Sequence, residues 1–219
     1  MINATILPGV CRIIQGDCID ILKPAAARSV DLVVTDPPYV VRFRDRSGRT
    51  IASDDRSNWI LPAYREIFRV LKNDTFCVSF YGWNNAERFV WAWKQAGFGV
   101  VGHIVWVKTY ASRSGFLEAR HEQAMLLIKG EPPKPGKPLP DVLPWVYSGN
   151  VLHPTQKPVE AILPLIETFS KPGDIVLDPF AGSGTTLVAA RQLGRRSVGI
   201  ELDPQYYRTA RKRLILNED

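Results

Sequence analysis

Ile175-Val176-Leu177-Asp178-Pro179-Phe180-Ala181-Gly182-Ser183-Gly184-Thr185-Thr186 decides the fold. Three apolar residues, an acid and a run of small residues read as a buried strand, a tight turn and the start of a helix reaching about Gly194. Glycines at 182 and 184 let the backbone approach a ligand that side chains would fend off, and the helix start leaves N–H groups without intrahelical partners. Ser197-Val198-Gly199-Ile200-Glu201 supplies a second strand, whose terminal acid lies 17 residues beyond Gly184. A carboxylate there can accept both hydroxyls of a ribose. An ordinary β-α-β turn would use the same glycines only for packing. A dinucleotide is disfavoured: the third glycine position of GxGxxG is Leu187, and Asp178 sits where a pyrophosphate would be repelled. An acid suits a ligand that presents an ammonium, as the methionine half of S-adenosylmethionine does.

Outward from this segment, short apolar runs ending in small or acidic residues alternate with helical periodicity. The pattern predicts an α/β fold with a mostly parallel sheet. Strands are expected at 12–15, 31–35, 75–80, 101–107, 123–129, 175–177 and 197–200, seven in one twisted sheet. Ile60, Tyr64, Ile67, Phe68 and Leu71 are spaced as one buried helix face. Asn84 or Asn85 is the expected N-cap of a helix stopping at Gly97, and Asp203-Pro204 opens a last helix that buries Tyr206, Ala210 and Leu214. Glu131 to Pro144 holds six of the 17 prolines and should be an extended connector.

Composition narrows the function classes. The 219 residues carry 28 Lys+Arg against 22 Asp+Glu, a net charge of +6 that admits a polyanion as partner. A chain of this length closes a core without disulfides or a structural metal. Cys11, Cys18 and Cys77 form no CxxC pair, and His103 and His121 have no metal-ligand spacing, so no metal is expected. With no signal peptide and no apolar run of membrane-spanning length, a cytoplasmic protein without membrane contact is the expectation.

A second motif follows the strand at 31–35. In Asp36-Pro37-Pro38-Tyr39, two prolines fix two φ angles and remove two N–H groups. A carboxylate, a bare carbonyl and an aromatic face are held together at a stiff tip. Their natural guest is a planar amine with two hydrogens to give, such as adenine, with Tyr39 stacking on the base. Hydrogen bonds from the amine to Asp36 and to the Pro37 carbonyl would favour a more tetrahedral nitrogen whose lone pair points at a methyl donor. A base inside a duplex must be flipped out to reach such a site. A double-proline turn with an N-capping Asp would look the same in isolation.

Asp36-Pro37-Pro38-Tyr39 and Asp178-Pro179-Phe180-Ala181-Gly182-Ser183-Gly184-Thr185-Thr186 together resemble the amino-methyltransferases of DNA. Their order resembles the β class, and His153-Pro154-Thr155-Gln156-Lys157-Pro158 is similar to a further signature of that class. The resemblance implies a Rossmann-like, circularly permuted methyltransferase fold, a seven-stranded mixed sheet in order 3-2-1-4-5-7-6 with one strand reversed. The final helix should then end near the first strand. It implies S-adenosylmethionine as cofactor and transfer to adenine N6 in DNA, with cytosine N4, an RNA or protein amide, and a non-catalytic nucleic-acid-binding module as the alternatives, since an acid at 36 accepts either exocyclic amine. Asp36, Pro37, Pro38 and Tyr39 would be catalytic. Asp178, Phe180, Ala181, Gly182, Gly184 and Thr185 would line the cofactor, with Glu201 on its ribose and Asp17 at its adenine. Thr155, Gln156 and Lys157 would face its methionine end.

Residues 1–219 are expected to form one methyltransferase domain with short recognition loops. The first, 40–58, carries Arg42, Arg44, Arg46 and Arg49 directly beyond the catalytic tip, where a flexible basic loop could clamp DNA. The second, 109–120, with Lys108, Arg113 and Arg120, could close from the other side. The basic residues near the C-terminus read as a solvated face. A homodimer and a companion restriction enzyme are partners that the resemblance admits alongside DNA.

Overall fold

A computed structural model describes residues 11–45, 48–112, 115–147, 149 and 152–215. The chain runs β1 (Cys11–Gln15), α1 (Cys18–Leu22), β2 (Val30–Thr35), α2 (Ile60–Val70), β3 (Leu71–Phe80), α3 (Ala86–Ala96), β4 (Gly99–Val107) and β5 (His121–Lys129). It continues through β6 (Val142–Pro144), α4 (Val159–Phe169), β7 (Ile175–Asp178), α5 (Thr185–Gln192), β8 (Arg196–Glu201) and α6 (Pro204–Ile215).

The strands form a sheet in order β1-β8-β7-β2-β3-β5-β4-β6. Counted from β7 as the first strand, the first seven positions run 3-2-1-4-5-7-6, the expected order. β5 pairs antiparallel with both β3 and β4, and the other pairings are parallel, so β5 is the reversed strand. The eighth strand, β6, corrects the expected count of seven. It grows from the proline-rich connector, whose extended backbone pairs Val142 and Leu143 with Val105 and Trp106 at the sheet edge. Pro144 ends it, where a missing N–H costs no ladder bond.

Period-2 alternation places the sheet between two helical layers. Val33, Cys77 and Leu177 face α1, α2 and α3, whereas Leu32, Val34, Val78 and Val176 face α4 and α5. Both sides of the central strands are therefore apolar. Leu214, near the end of α6, packs beside Cys11 and Ile13 of β1, so the last helix closes against the first strand. Asp203 caps α6, accepting from the Gln205 amide at 2.7 Å. Asn85 precedes α3 but does not cap it with its side chain. The Gly97 stop has the expected left-handed conformation.

Cys18 and Cys77 are buried, and burial pushes both thiols far up, so they act as small core residues. No helix of the described residues is long and apolar enough to cross a membrane. β2 and β7 lie side by side at the centre, and the chain leaves both at their carboxyl ends, where α/β sheets open a crevice for ligands.

Candidate active site

Asp36 leaves the sheet immediately after Thr35 closes β2. The Tyr39 hydroxyl donates to Asp36 Oδ1 at 2.7 Å, so the tyrosine orients the carboxylate as well as offering its ring. Asn85 Nδ2 donates to the carbonyls of Tyr39 (3.0 Å) and Val40 (3.2 Å), which is where its capping capacity goes instead. Asp54, 2% exposed, accepts the amides of Val40 (2.6 Å), Val41 (3.3 Å) and Phe43 (2.7 Å). Val40 stands at φ +60, a left-handed position that a β-branched residue adopts only when its surroundings compel it.

The loop at 40–58 is therefore tied down at its base, against the expectation of a flexible clamp. Arg42 and Arg44 point their exposed side chains outward beyond that base. Arg49 is half-buried and pairs with Asp45 at 2.6 Å. Arg46 lies outside the described residues.

Lys157, expected at the methionine end of the cofactor, has a further set of contacts. Its Nζ is 2.6 Å from Asp36 Oδ2 and 3.9 Å from Glu122 Oε2, and it lies over the rings of Phe80 and Tyr39. Burial alone would lower its pKa, but the carboxylates of Asp36 and Glu122 outweigh burial and raise it, so the ammonium stays charged. Burial raises Asp36 above the ordinary carboxylate range in spite of Lys157. The motif that was expected to serve the cofactor thus also reaches Asp36.

Thr155 and Gln156 lie beside it, with the Thr155 amide donating to His153 Nδ1 at 3.3 Å and Gln156 Oε1 accepting from the Leu152 amide at 3.2 Å. The His153 ring packs 4.2 Å from that of Tyr206, and burial pushes its pKa down to about 4, so it is neutral at pH 7.

The glycine loop meets this group from the next strand. Gly184, at φ +82, starts α5, and a Cβ there would stand 3.1 Å from the Ala210 methyl. Leu187 takes the third glycine position because Gly199 makes room for it: a Cβ on Gly199 would meet Leu187 at 2.6 Å. Glu201 braces the loop, accepting from the Gly182 amide at 2.7 Å and the Asp203 amide at 2.8 Å. The Thr185 hydroxyl donates to the Lys157 carbonyl at 3.1 Å and joins the two segments. Phe180 packs against Trp59 with ring centres 5.1 Å apart. Asp17 caps α1, accepting from the Ile19 amide at 2.8 Å.

Asp17, Asp36, Tyr39, Thr155, Gln156, Lys157, Asp178, Phe180, Ala181, Gly182, Thr185 and Glu201 line one cavity. Asp178 accepts from the Phe180 amide at 3.1 Å, forms no ion pair among the described residues, and is pushed by burial up to about 7. A buried acid held without a cation fits a ligand that brings one. The donor set therefore suits a cofactor with a cationic end and a ribose.

The second basic group is dispersed. Lys108 is 5% exposed, paired with the Glu122 carboxylate and the Ser112 hydroxyl, and stacked over Trp145, so it presents no charge to DNA. Arg120 is exposed and paired with Glu118 at 2.9 Å. Arg113 lies outside the described residues. Near the C-terminus, Arg195 is buried and bonds the Ser170 backbone and hydroxyl, which corrects its assignment to a solvated face. Trp106 is fully buried as core, whereas Trp83 is 70% exposed. Glu122, Asp54 and Asn85 are the site residues that sequence reasoning missed. Each acts on a partner far along the chain, with no local pattern to mark it.

The family of N6/N4 DNA methylases matches residues 30–212. The chain belongs to that family. The methylase is 58% identical over 203 residues to YubD of Escherichia coli K12, covering 93% of this chain and 89% of YubD, a protein named as a methylase with no base specified. It is 30% identical over 244 residues to the DNA adenine methyltransferase YhdJ of the same organism, covering 92% and 82% of the two chains. Among solved structures, the complex of M1.HpyAVI with S-adenosylmethionine superposes with a TM-score of 0.75 at 27% identity, covering 94% of the methylase and 99% of that chain.

Proposed function

We propose that this methylase transfers the methyl group of S-adenosylmethionine to the exocyclic N6 of adenine in DNA, on a base flipped out of the duplex. The observation that carries the reading is the adjacency of two acids with different tasks. Asp36 stands at the end of β2 beside two residues without N–H groups, and Asp178 stands at the end of the neighbouring β7, both in one cavity.

Bound there, the cofactor supplies a methyl group on a cationic sulfur. Asp178 would face its positive end, Glu201 its ribose and Asp17 its adenine. Asp36 and the Pro37 carbonyl accept the two hydrogens of the target amine and turn its lone pair toward the methyl. Tyr39 keeps Asp36 oriented through its hydroxyl, and its ring lies against the base. Asp36 then takes the surplus proton from the methylated nitrogen. No side chain forms a covalent bond to the base, in keeping with Cys18 and Cys77, whose thiols burial keeps protonated.

Arg42 and Arg44 are exposed cations beside the tip and would contact the backbone of the target strand. Recognition rests on short loops and is expected to be relaxed. Adenine is favoured over cytosine N4 by the acid that opens the tetrapeptide and by similarity to YhdJ. The test is incubation with labelled cofactor and unmethylated DNA, followed by digestion to nucleosides. Label in N6-methyladenine is the expected result, and label in N4-methylcytosine would replace the adenine reading.

A further inference from the structure

Both oxygens of Asp36 are engaged in the free site, Oδ1 by the Tyr39 hydroxyl and Oδ2 by the Lys157 ammonium. A target amine must share or displace one of them. Displacing Lys157 is favoured on electrostatic grounds, because the amine nitrogen gains positive charge as the methyl arrives and an ammonium about 3 Å away would oppose it. Lys157 cannot escape to water, since it is 8% exposed and enclosed by the Phe80 and Tyr39 rings. A buried ammonium left without a counter-charge is strongly disfavoured.

A second carboxylate stands within a short swing. Glu122 Oε2 is 3.9 Å from Lys157 Nζ, and Glu122 is held in place at the start of β5 by the buried Lys108. Asp36, Lys157, Glu122 and Lys108 thus form a row of alternating charge that sums to zero. A shift of Lys157 along it changes no total charge.

We propose that Glu122 is a positioning residue that takes over the Lys157 ammonium when the target amine docks on Asp36. The carboxylate of Asp36 is thereby released to the substrate without stranding a buried cation. The inference rests on the methyl-transfer reading but needs only an exocyclic amine, so a cytosine product would leave it standing.

The test is a set of single-turnover rates on unmethylated DNA, read with cofactor affinity by calorimetry and thermal unfolding. Glu122→Gln should slow transfer at least tenfold while cofactor affinity stays within twofold. Because Glu122→Gln strands Lys108, the double variant K108M/E122Q is compared with Lys108→Met alone. It should fold as well and remain at least tenfold slower. A native rate in Glu122→Gln, or a double variant as fast as Lys108→Met, would show that Glu122 only neutralises Lys108. If the variants do not fold, a crystal structure of the native protein with S-adenosylhomocysteine and an adenine-containing oligonucleotide seated on Asp36 decides the question. Lys157 closer to Glu122 than to Asp36 is expected, and Lys157 still on Asp36 overturns the proposal.

Discussion

Asp54 Oδ1 accepts the Val40 amide hydrogen at 2.6 Å, so the residue that follows Asp36-Pro37-Pro38-Tyr39 is held by an acid 14 positions downstream. The same carboxylate takes the Val41 and Phe43 amides, and it does so where Val40 is forced to φ +60. Asp54→Ala would leave these amides without their acceptor and release the strained turn. A loss of about 3 kcal/mol in unfolding free energy is expected, with new tryptic cleavage at the arginines of 40–58. Asp54→Asn should recover part of the loss, and denaturant titration with limited proteolysis reads both. Native stability in Asp54→Ala would remove the anchoring role.

Asp36→Ala should lower the transfer rate by about three orders of magnitude or more. The variant should still fold, because Glu122, 3.9 Å from Lys157, remains to balance the ammonium. Cofactor affinity should change less than about threefold, since Asp178 and Glu201 hold the other end of the cavity. Rapid-quench transfer and calorimetry separate the two effects. Near-native turnover would refute the assignment of Asp36.

Asp178 should make cofactor binding depend on pH. Burial raises its pKa from 3.8 to about 7, so the folded state holds a proton that the unfolded chain releases. Its contribution to stability is full below the ordinary carboxylate pKa and is lost as pH rises toward 7. A cationic ligand favours the charged form and releases that proton. Affinity for S-adenosylmethionine should therefore rise as pH climbs toward 7 and level off above it. Calorimetry in buffers of different ionisation enthalpy should show proton release near pH 6, and Asp178→Asn should flatten the profile. A flat profile in the native protein would place the cofactor's positive end elsewhere.

Salt dependence distinguishes cations that face DNA from those that do not. Each of Arg42→Ala and Arg44→Ala should reduce the slope of log affinity against log salt by about 0.9 for duplex DNA. Lys108→Met should leave the slope unchanged, because that ammonium is spent on Glu122. Fluorescence anisotropy across a salt series measures all three. A slope unchanged in the arginine variants would move the DNA track off the 40–58 loop.

Much of the fold was legible in the sequence because buried strands and amphipathic helices carry their own periods. Leu32 and Val34 against Val33 reveal a two-sided strand wherever the sheet happens to sit, and Asp203-Pro204 announces a helix start by local geometry. β6 escaped because a three-residue edge strand in a proline-rich connector has no period of its own and exists only through its pairing with β4. Lys108 was misplaced for a related reason. A lysine at a strand end looks solvent-facing until the partner strand brings Glu122 to it.

By itself, the sequence determined the chemistry available: a stiff acid-proline-proline-tyrosine tip, a glycine loop entered from an acid, and the order in which the chain delivers them. Only the tertiary structure decided which charges meet. Lys157 and Asp36 are 121 positions apart, yet 2.6 Å separates them, because the loop after β2 and the lead-in to α4 converge where β2 and β7 lie side by side. Local spacing encodes the period of a helix or strand. The pairing of buried charges depends on strand order, which is set by the packing of the whole sheet.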